Sequence, residues 1–136
     1  GPNSLGGTYT GSPTACAAAL AVLEVFEEEN ILEKSQALGD KLAKRFNEWA
    51  GKFDCIDHVR NMGSMAAFEL VSSKADHTPN PELAAALCKK AREEGLILLS
   101  CGMYGNTIRF LMPVTIQDDV LNEGLDIIES CLESLT

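Results

Sequence analysis

The sequence predicts an α/β fold, a two-layer α+β sandwich in which helices cover a small, partly antiparallel sheet. Helical apolar periodicity alternates along the chain with short β-type runs, in the order α-α-β-β-α-β-β-α. Each predicted helix carries one apolar stripe, and such a stripe needs a sheet or another helix to cover it. The length of 136 residues suits a single domain with one substantial core.

The composition excludes several classes of protein. A chain with 46% hydrophobic and 23% charged residues is typical of a globular domain and not of a disordered one. No apolar run reaches the roughly 18–20 residues of a membrane span. The net charge of −9 disfavours nucleic acid and anionic membranes as partners, because phosphates would be repelled.

The five cysteines include no Cys-x-x-Cys pair and do not cluster with a histidine, so no metal site is predicted. Cys16, Cys88 and Cys131 lie in apolar patterns, and we expect them to be buried in a protein of the reducing cytoplasm. The chain starts at Gly1 without an initiator methionine, which indicates the stump of a longer chain or a cleaved one.

Two helices are predicted in the first third of the chain. Ser12 is the expected N-cap and Pro13 the first residue of a helix over 13–29. A second helix over 31–50 is expected to end at Gly51. The predicted apolar stripes are Cys16, Ala19, Leu20, Leu23 and Phe26 in the first helix, and Ile31, Leu38, Leu42, Phe46 and Trp49 in the second.

Two β-type runs, residues 58–62 and 65–71, flank Gly63-Ser64 and predict an antiparallel hairpin. Asn80 then caps a third helix over 81–94, which Gly95 ends. The stripe of this helix comprises Leu83, Ala84, Leu87, Cys88 and Ala91.

The last third of the chain predicts two more strands and a helix. Residues 96–99 are continuously apolar and indicate a buried strand, and residues 107–112 form another strand that Pro113 ends. Thr115 and Asp118 have the spacing of a capping box for the final helix. Its apolar seam comprises Leu121, Leu125, Ile128, Leu132 and Leu135.

Two features could bind an anion. In the glycine-rich turn, residues 5–11, glycines allow close backbone approach, and a hydroxyl with neighbouring N–H groups can hold a phosphate oxygen. The alternative is a flexible turn before a helix. Arg109 shares a strand face with Thr107 and Leu111, and it is either a surface arginine or a clamp for a carboxylate.

The other polar or polarisable residues point to structure rather than chemistry. His58 and His77 have no acidic residue or cysteine at metal or triad spacing, which indicates structural or exposed histidines. Met62, Met65 and Met112 are expected to pack in the core or along strands. Trp49 is expected to anchor the core.

Three motifs, in this order, resemble the class III aminotransferases, which act on ω-amino acids. LGGTYTGSPTACAAA at residues 5–19 resembles the phosphate-contacting turn and following helix of that family. VRNMGSMAA at residues 59–67 resembles its VRGLGxMxA hairpin. GLILLSCGMYGNTIRFLMPVT at residues 95–115 is similar to its carboxylate-binding strand region, specifically in bacterial 4-aminobutyrate aminotransferases.

The resemblance implies the C-terminal part of a fold-type-I enzyme that uses pyridoxal 5′-phosphate. Residues 1–13 would be a glycine-rich turn belonging to the missing cofactor domain, and residues 14–136 the small C-terminal domain with its connecting helix. Gly7 and Thr8 would contact the phosphate of the cofactor in the neighbouring subunit of a homodimer, and Arg109 would bind the substrate carboxylate. The Schiff-base lysine would lie upstream, so no catalytic residue is expected in this chain.

The implied activity is amino-group transfer from 4-aminobutyrate to 2-oxoglutarate, giving succinate semialdehyde and glutamate, with this chain alone inactive. Another ω-amino-acid or diamine aminotransferase of the class is an alternative, and so is a free-standing, non-catalytic interaction module. The implied partners are small amino and oxo acids and the protein's own cofactor domain. One departure is Gly11-Ser12-Pro13, where the family usually has Gly-Asn-Pro.

Overall fold

The computed structural model describes residues 6–136. The chain forms two compact units, one up to Glu33 and one from Lys34 to Thr136. The helices of the described residues are α1 (Pro13–Glu28), α2 (Ile31–Lys52), α3 (Pro81–Glu93) and α4 (Asp118–Leu135). The strands are β1 (Ile56–Met62), β2 (Met65–Ser73), β3 (Thr78–Pro79), β4 (Ser100–Cys101) and β5 (Thr107–Phe110). None of these helices is long and apolar enough to cross a bilayer.

The sheet of the second unit has the order β1-β2-β5-β4, and β3 pairs with the end of β2. The predicted hairpin is confirmed, because β1 and β2 pair antiparallel around Gly63 and Ser64. Each strand pairing in the described chain is antiparallel, whereas the sequence predicted a partly antiparallel sheet. The short strand β3 was not predicted.

The helices α2, α3 and α4 share one apolar core with one face of the sheet, which confirms the predicted α/β sandwich. Phe46 of α2 packs against Phe68 of β2 and Phe110 of β5, with ring centroids 5.2 and 4.6 Å apart. Within residues 6–136, nineteen buried apolar side chains form this core. Those of α3 are Ala84, Leu87 and Ala91, and those of α4 are Leu121, Leu125, Ile128, Cys131 and Leu132.

Trp49 anchors this core as predicted, with only 1% of the residue exposed. Its indole Nε1 donates a hydrogen bond to Glu129 Oε2 at 3.0 Å, which satisfies the buried N–H group. Glu129 also accepts hydrogen bonds from Lys52 at 2.7 Å and from Arg45 at 2.9 Å. A single carboxylate of α4 therefore accepts hydrogen bonds from three side chains of α2.

Acidification is expected to weaken this contact. The hydrogen bond from Lys52, followed by that from Trp49, lowers the pKa of Glu129. The stability that ionised Glu129 gives the fold is therefore complete at a pH above the ordinary glutamate pKa of about 4.3. It is lost as the pH falls through the lowered pKa of Glu129 in the folded state. We expect the free energy of unfolding, measured by urea titration, to fall less steeply with acid in Glu129→Gln than in the wild type. Glu48→Gln, at an exposed glutamate of α2, is the control and should keep the wild-type slope.

Ser12 occupies the N-cap position of α1 as predicted, although its side chain makes no capping hydrogen bond. The end of α2 and the start of α4 differ from the prediction. Helix α2 continues through Gly51 to Lys52, because Phe53 N–H still bonds to Trp49 O at 2.7 Å. Helix α4 has Gln117 at its N-cap instead of Thr115. The turn in which Ile116 N–H bonds to Pro113 O delays the start of this helix.

Other helix ends agree with the sequence. Asn80 caps α3 by accepting a hydrogen bond from Leu83 N–H at 3.0 Å. Gly95 follows α3 with a φ of +90°, a backbone conformation that favours glycine, and so ends the helix as predicted.

The apolar run 96–99 is not the buried strand that the sequence predicted. Ile97 is 80% and Leu99 73% exposed, while Leu96 and Leu98 pack partly against the core. The run lies at the sheet edge and is covered on one side only, so its continuous apolar character does not mean burial on both faces. On this edge of the sheet, only Ser100 and Cys101 of β4 pair with β5, and β5 itself ends at Phe110 instead of residue 112.

Helix α1 is described by itself. It has the predicted bounds to within one residue, yet no residue of it is buried in the described chain. Leu20 and Leu23 are each 62% exposed. The prediction that Cys16 is buried is therefore wrong, because its whole stripe is uncovered in this chain. Cys131 is buried as predicted, and Cys88 is half-buried.

Candidate functional site

Arg109 lies on the outer face of the sheet, the face opposite the helical core. In the strand register, Ala67 of β2 pairs with both Arg60 of β1 and Arg109 of β5. Directly paired residues project from the same face of a sheet. The two arginines therefore form a row with a single methyl group between them, two strand spacings or about 10 Å apart.

This row crosses an open groove of about 510 Å³, which we call the arginine groove. Its lining residues are Arg60, Asn61, Met62, Met65, Ala66, Ala67, Cys101, Gly102, Thr107 and Arg109. The lining combines two guanidinium groups with methionine and alanine side chains. A ligand that carries both a carboxylate and a short methylene chain would find a complement to each part here.

The two arginines of the groove differ in their partners. Arg60 forms an ion pair with Glu69 at 2.8 Å and donates a hydrogen bond to His58 O at 2.8 Å. Arg109 is exposed, and within residues 6–136 it takes part in no ion pair or side-chain hydrogen bond. Arg109 is thus the cation of the groove whose charge is open to an incoming anion.

The loop before β5 fixes the position of Arg109. Asn106 is 2% exposed, its Nδ2 donates to Leu70 O at 3.0 Å, and its own carbonyl accepts from Leu70 N–H at 2.8 Å. Gly102 has a φ of +85°, and a Cβ there would lie 2.7 Å from Thr107 Oγ1. The loop can therefore close on Thr107 only with glycine at this position. Sequence reasoning did not single out Asn106, although a polar residue directly before an apolar strand was a signal.

Of the two predicted placements, core or strand, Met62 and Met65 have the strand placement. Met62 is 77% and Met65 42% exposed, and they pair with each other across the hairpin on the outer face. Both line the arginine groove instead of the core. Met112 is partly buried against the core, as predicted.

The glycine-rich turn belongs to the first unit. Thr10 N–H bonds to Gly7 O and Ser12 N–H bonds to Tyr9 O, each at 3.1 Å, so two consecutive turns lead into α1. Thr8 lies in the first of these turns and is exposed. An exposed hydroxyl in a hydrogen-bonded glycine turn fits a phosphate group. Residues 1–5 of the predicted N-terminal segment lie outside the described residues.

Comparison with known proteins decides the family. The profile of the class-III aminotransferases matches residues 1–132. The chain belongs to this family. The resemblance seen in its three motifs is thereby confirmed.

Curated aminotransferases resemble the chain over almost its whole length. The 5-aminovalerate aminotransferase of Pseudomonas aeruginosa is 55% identical over 134 residues, which are 98% of this chain and 32% of that protein. The 4-aminobutyrate aminotransferase of Escherichia coli is 47% identical over 132 residues, or 97% of this chain and 31% of that protein. The chain thus spans about a third of the length of these relatives.

Solved transaminase structures share the fold. An amine transaminase from an uncultivated Pseudomonas species, in its PLP-bound form, superposes with a TM-score of 0.84 at 29% identity. The match covers 99% of this chain and 30% of that one. A transaminase from the marine bacterium Virgibacillus also gives a TM-score of 0.84, at 26% identity, with coverages of 99% and 31%. The chain is therefore built as a small domain of the fold-type-I enzymes.

The structure also brings together residues that sequence spacing kept apart. His77 Nδ1 lies 2.5 Å from Asp57 Oδ2, and the His58 and His77 rings are 4.7 Å apart between centroids. The sequence predicted structural or exposed histidines, and both are exposed. Their approach to Asp57 was not predicted, because the β-bulge in β1 and the turn before β3, which put these residues side by side, are not visible as a spacing.

Proposed function

We propose that the protein containing this chain transfers an amino group from an ω-amino acid to 2-oxoglutarate with the help of pyridoxal 5′-phosphate. The donor is 4-aminobutyrate, which gives succinate semialdehyde and glutamate, or its one-carbon-longer homologue 5-aminovalerate. The observation that carries this proposal is the exposed Arg109 in the arginine groove of a class-III aminotransferase chain.

Arg109 would bind the α-carboxylate of glutamate or 2-oxoglutarate. A guanidinium is planar and always charged, so its two N–H groups can bind both oxygens of a carboxylate. Met62, Met65 and Ala67 line the same groove, and apolar walls strengthen such a charge pair by lowering the local dielectric constant. The same side chains would contact the methylene groups of the substrate.

Gly7 and Thr8 would hold the phosphate of the cofactor, through the Thr8 hydroxyl and the backbone N–H groups of the turn. In the proposed homodimer this turn serves the cofactor of the neighbouring subunit. When bound, pyridoxal phosphate supplies the electron sink that transamination requires. The lysine that holds it would come from the rest of the protein, so we expect this chain alone to catalyse no transfer.

Two further observations support the wider proposal. The uncovered apolar stripe of α1 fits a chain that packs against its own cofactor domain or a second subunit, because such a stripe needs a cover. The five cysteines are all free, which fits a reducing compartment such as the cytoplasm.

The names of the relatives point to both donors. Relatives that are 55% and 53% identical are called 5-aminovalerate aminotransferases, and relatives that are 46% and 47% identical are called 4-aminobutyrate aminotransferases. The donors differ by one methylene, which a binding pocket distinguishes by about tenfold or more.

The test is an assay of the whole protein with each donor and 2-oxoglutarate as the acceptor. We expect glutamate to form with at least one of the two ω-amino acids, and kcat/KM to be about tenfold or more higher for the better one. Putrescine, a diamine of four carbons without a carboxylate, is the comparison substrate and should be clearly poorer. A preference for putrescine, or no glutamate from either amino acid, would contradict the proposal.

A further inference from the structure

We propose that Asp57, His58 and His77 form a binding site for a transition-metal dication, with zinc as the best match. The site lies at the corner between the first residues of β1 and the turn that leads into β3. It is separate from the arginine groove and has no part in the proposed amino transfer.

The three side chains already converge. One ligating atom from each, a carboxylate oxygen and two imidazole nitrogens, lies within 4.8 Å of the other two. In tetrahedral zinc sites, with metal–ligand bonds of 2.0–2.1 Å, the ligand atoms are about 3.4 Å apart. His77 Nδ1 is 2.5 Å from Asp57 Oδ2, and His58 Nε2 is 3.9 Å from that same oxygen. Side-chain shifts of about 1 Å would therefore bring the cluster to zinc geometry.

The carboxylate is held in the orientation that a metal needs. Asp57 Oδ1 accepts the backbone N–H of its neighbour His58 at 2.8 Å, which leaves Oδ2 directed toward both imidazoles. An ionised carboxylate and two imidazoles are a ligand set that suits zinc, nickel and copper more than magnesium or calcium.

The backbone at both histidines is unusual and places the two rings together. His58 has a φ of +47° in the β-bulge of β1, and His77 has a φ of +55°. Positive φ is uncommon for residues other than glycine, and histidine is among the few that adopt it more often. The register shift between Asp57 and Arg60 puts an extra residue in β1 at this point.

The surroundings of the cluster admit a cation and water. His58 and His77 have side chains that are 47% and 56% exposed, so the metal can enter and solvent can complete its coordination. The adjacent cation, Arg60, is neutralised by its ion pair with Glu69, which lies opposite Asp57 in the register. The site therefore has the net negative charge of Asp57, which attracts a dication.

Zinc binding to the whole protein, purified without a histidine tag, tests this site. Zinc chloride is titrated against a chromophoric zinc chelator, and the wild type is compared with Asp57→Asn, His58→Asn and His77→Asn. Asparagine is chosen for the histidines because it also tolerates positive φ, so the backbone is preserved. Circular dichroism verifies that each variant is folded.

We expect the wild type to hold one more equivalent of zinc than each variant, or to hold it at least about tenfold more tightly. Cysteines and other groups of the protein contribute equally to all samples, so this difference isolates the cluster. Asp76→Asn is the matched control, because Asp76 precedes His77 in the same turn and its carboxylate is outside the cluster. It should bind zinc like the wild type.

Equal zinc binding by the wild type and both histidine variants would overturn the proposal. The contact between Asp57 and His77 would then be only a structural hydrogen bond that joins β1 to the turn that leads into β3. A loss of zinc in Asp57→Asn alone would overturn it as well, because the site requires imidazole ligands.

Discussion

Replacing Arg109 by alanine in the whole protein is expected to raise the KM for 2-oxoglutarate and for glutamate by about 10²–10³-fold. The substitution removes a charge-assisted, two-pronged contact to a carboxylate, which is worth about 3–4 kcal/mol when it is shielded from water. Fold stability should hardly change, because Arg109 is exposed and makes no ion pair within the described residues. Steady-state kinetics with varied 2-oxoglutarate measure the effect.

Three further variants make this prediction specific. Arg109→Lys keeps the charge but loses the planar fork, so its KM should lie between those of the wild type and the alanine variant. Thr8→Ala should weaken cofactor retention with a smaller effect on the KM for 2-oxoglutarate. Arg92→Ala, at an exposed arginine in the last turn of α3, should behave like the wild type. An unchanged KM in Arg109→Ala would remove Arg109 from the substrate site.

Local chemistry was enough to predict most of the helices and the hairpin. The Asn80 cap and Gly95 stop of α3 act within one turn of chain, and the structure has both. The run 96–99 was misread because burial of an apolar run depends on which strand lies beside it. The sequence has no local signal that β4 begins only at Ser100 and leaves Leu99 outside the sheet and exposed.

The candidate site shows the same limit. Arg109 could be singled out because a guanidinium in an apolar strand has few favourable environments. Its position beside Ala67, in one row with Arg60, depends on strand register, which only the folded sheet defines. The approach of His77 to Asp57 depends on a bulge and a turn 20 residues apart. Contacts of this kind arise from tertiary structure and leave no spacing pattern in the chain.

The tightest constraint on the hairpin that carries the groove is Gly39 in the middle of α2. A Cβ at this position would lie 2.0 Å from Gly63 O and 2.5 Å from Gly63 C, which are backbone atoms of the hairpin turn. The helix and turn are further joined by Ser35, whose Oγ accepts Ser64 N–H at 3.0 Å. The turn is thus held against the helix and cannot move away without breaking this contact.

Replacing Gly39 by alanine is therefore expected to lower the free energy of unfolding by about 3 kcal/mol or more, because the clash involves backbone that cannot rotate aside. Gly51→Ala is the matched control, since Gly51 lies in the same helix with nothing within 4 Å of its Cβ position. There the better helix propensity of alanine should stabilise the protein by up to about 1 kcal/mol. Urea unfolding of both variants measures the difference. If Gly39→Ala proved as stable as Gly51→Ala, the close approach of α2 to the hairpin turn would be wrong, and with it the placement of Met62 and Met65 beside Arg109.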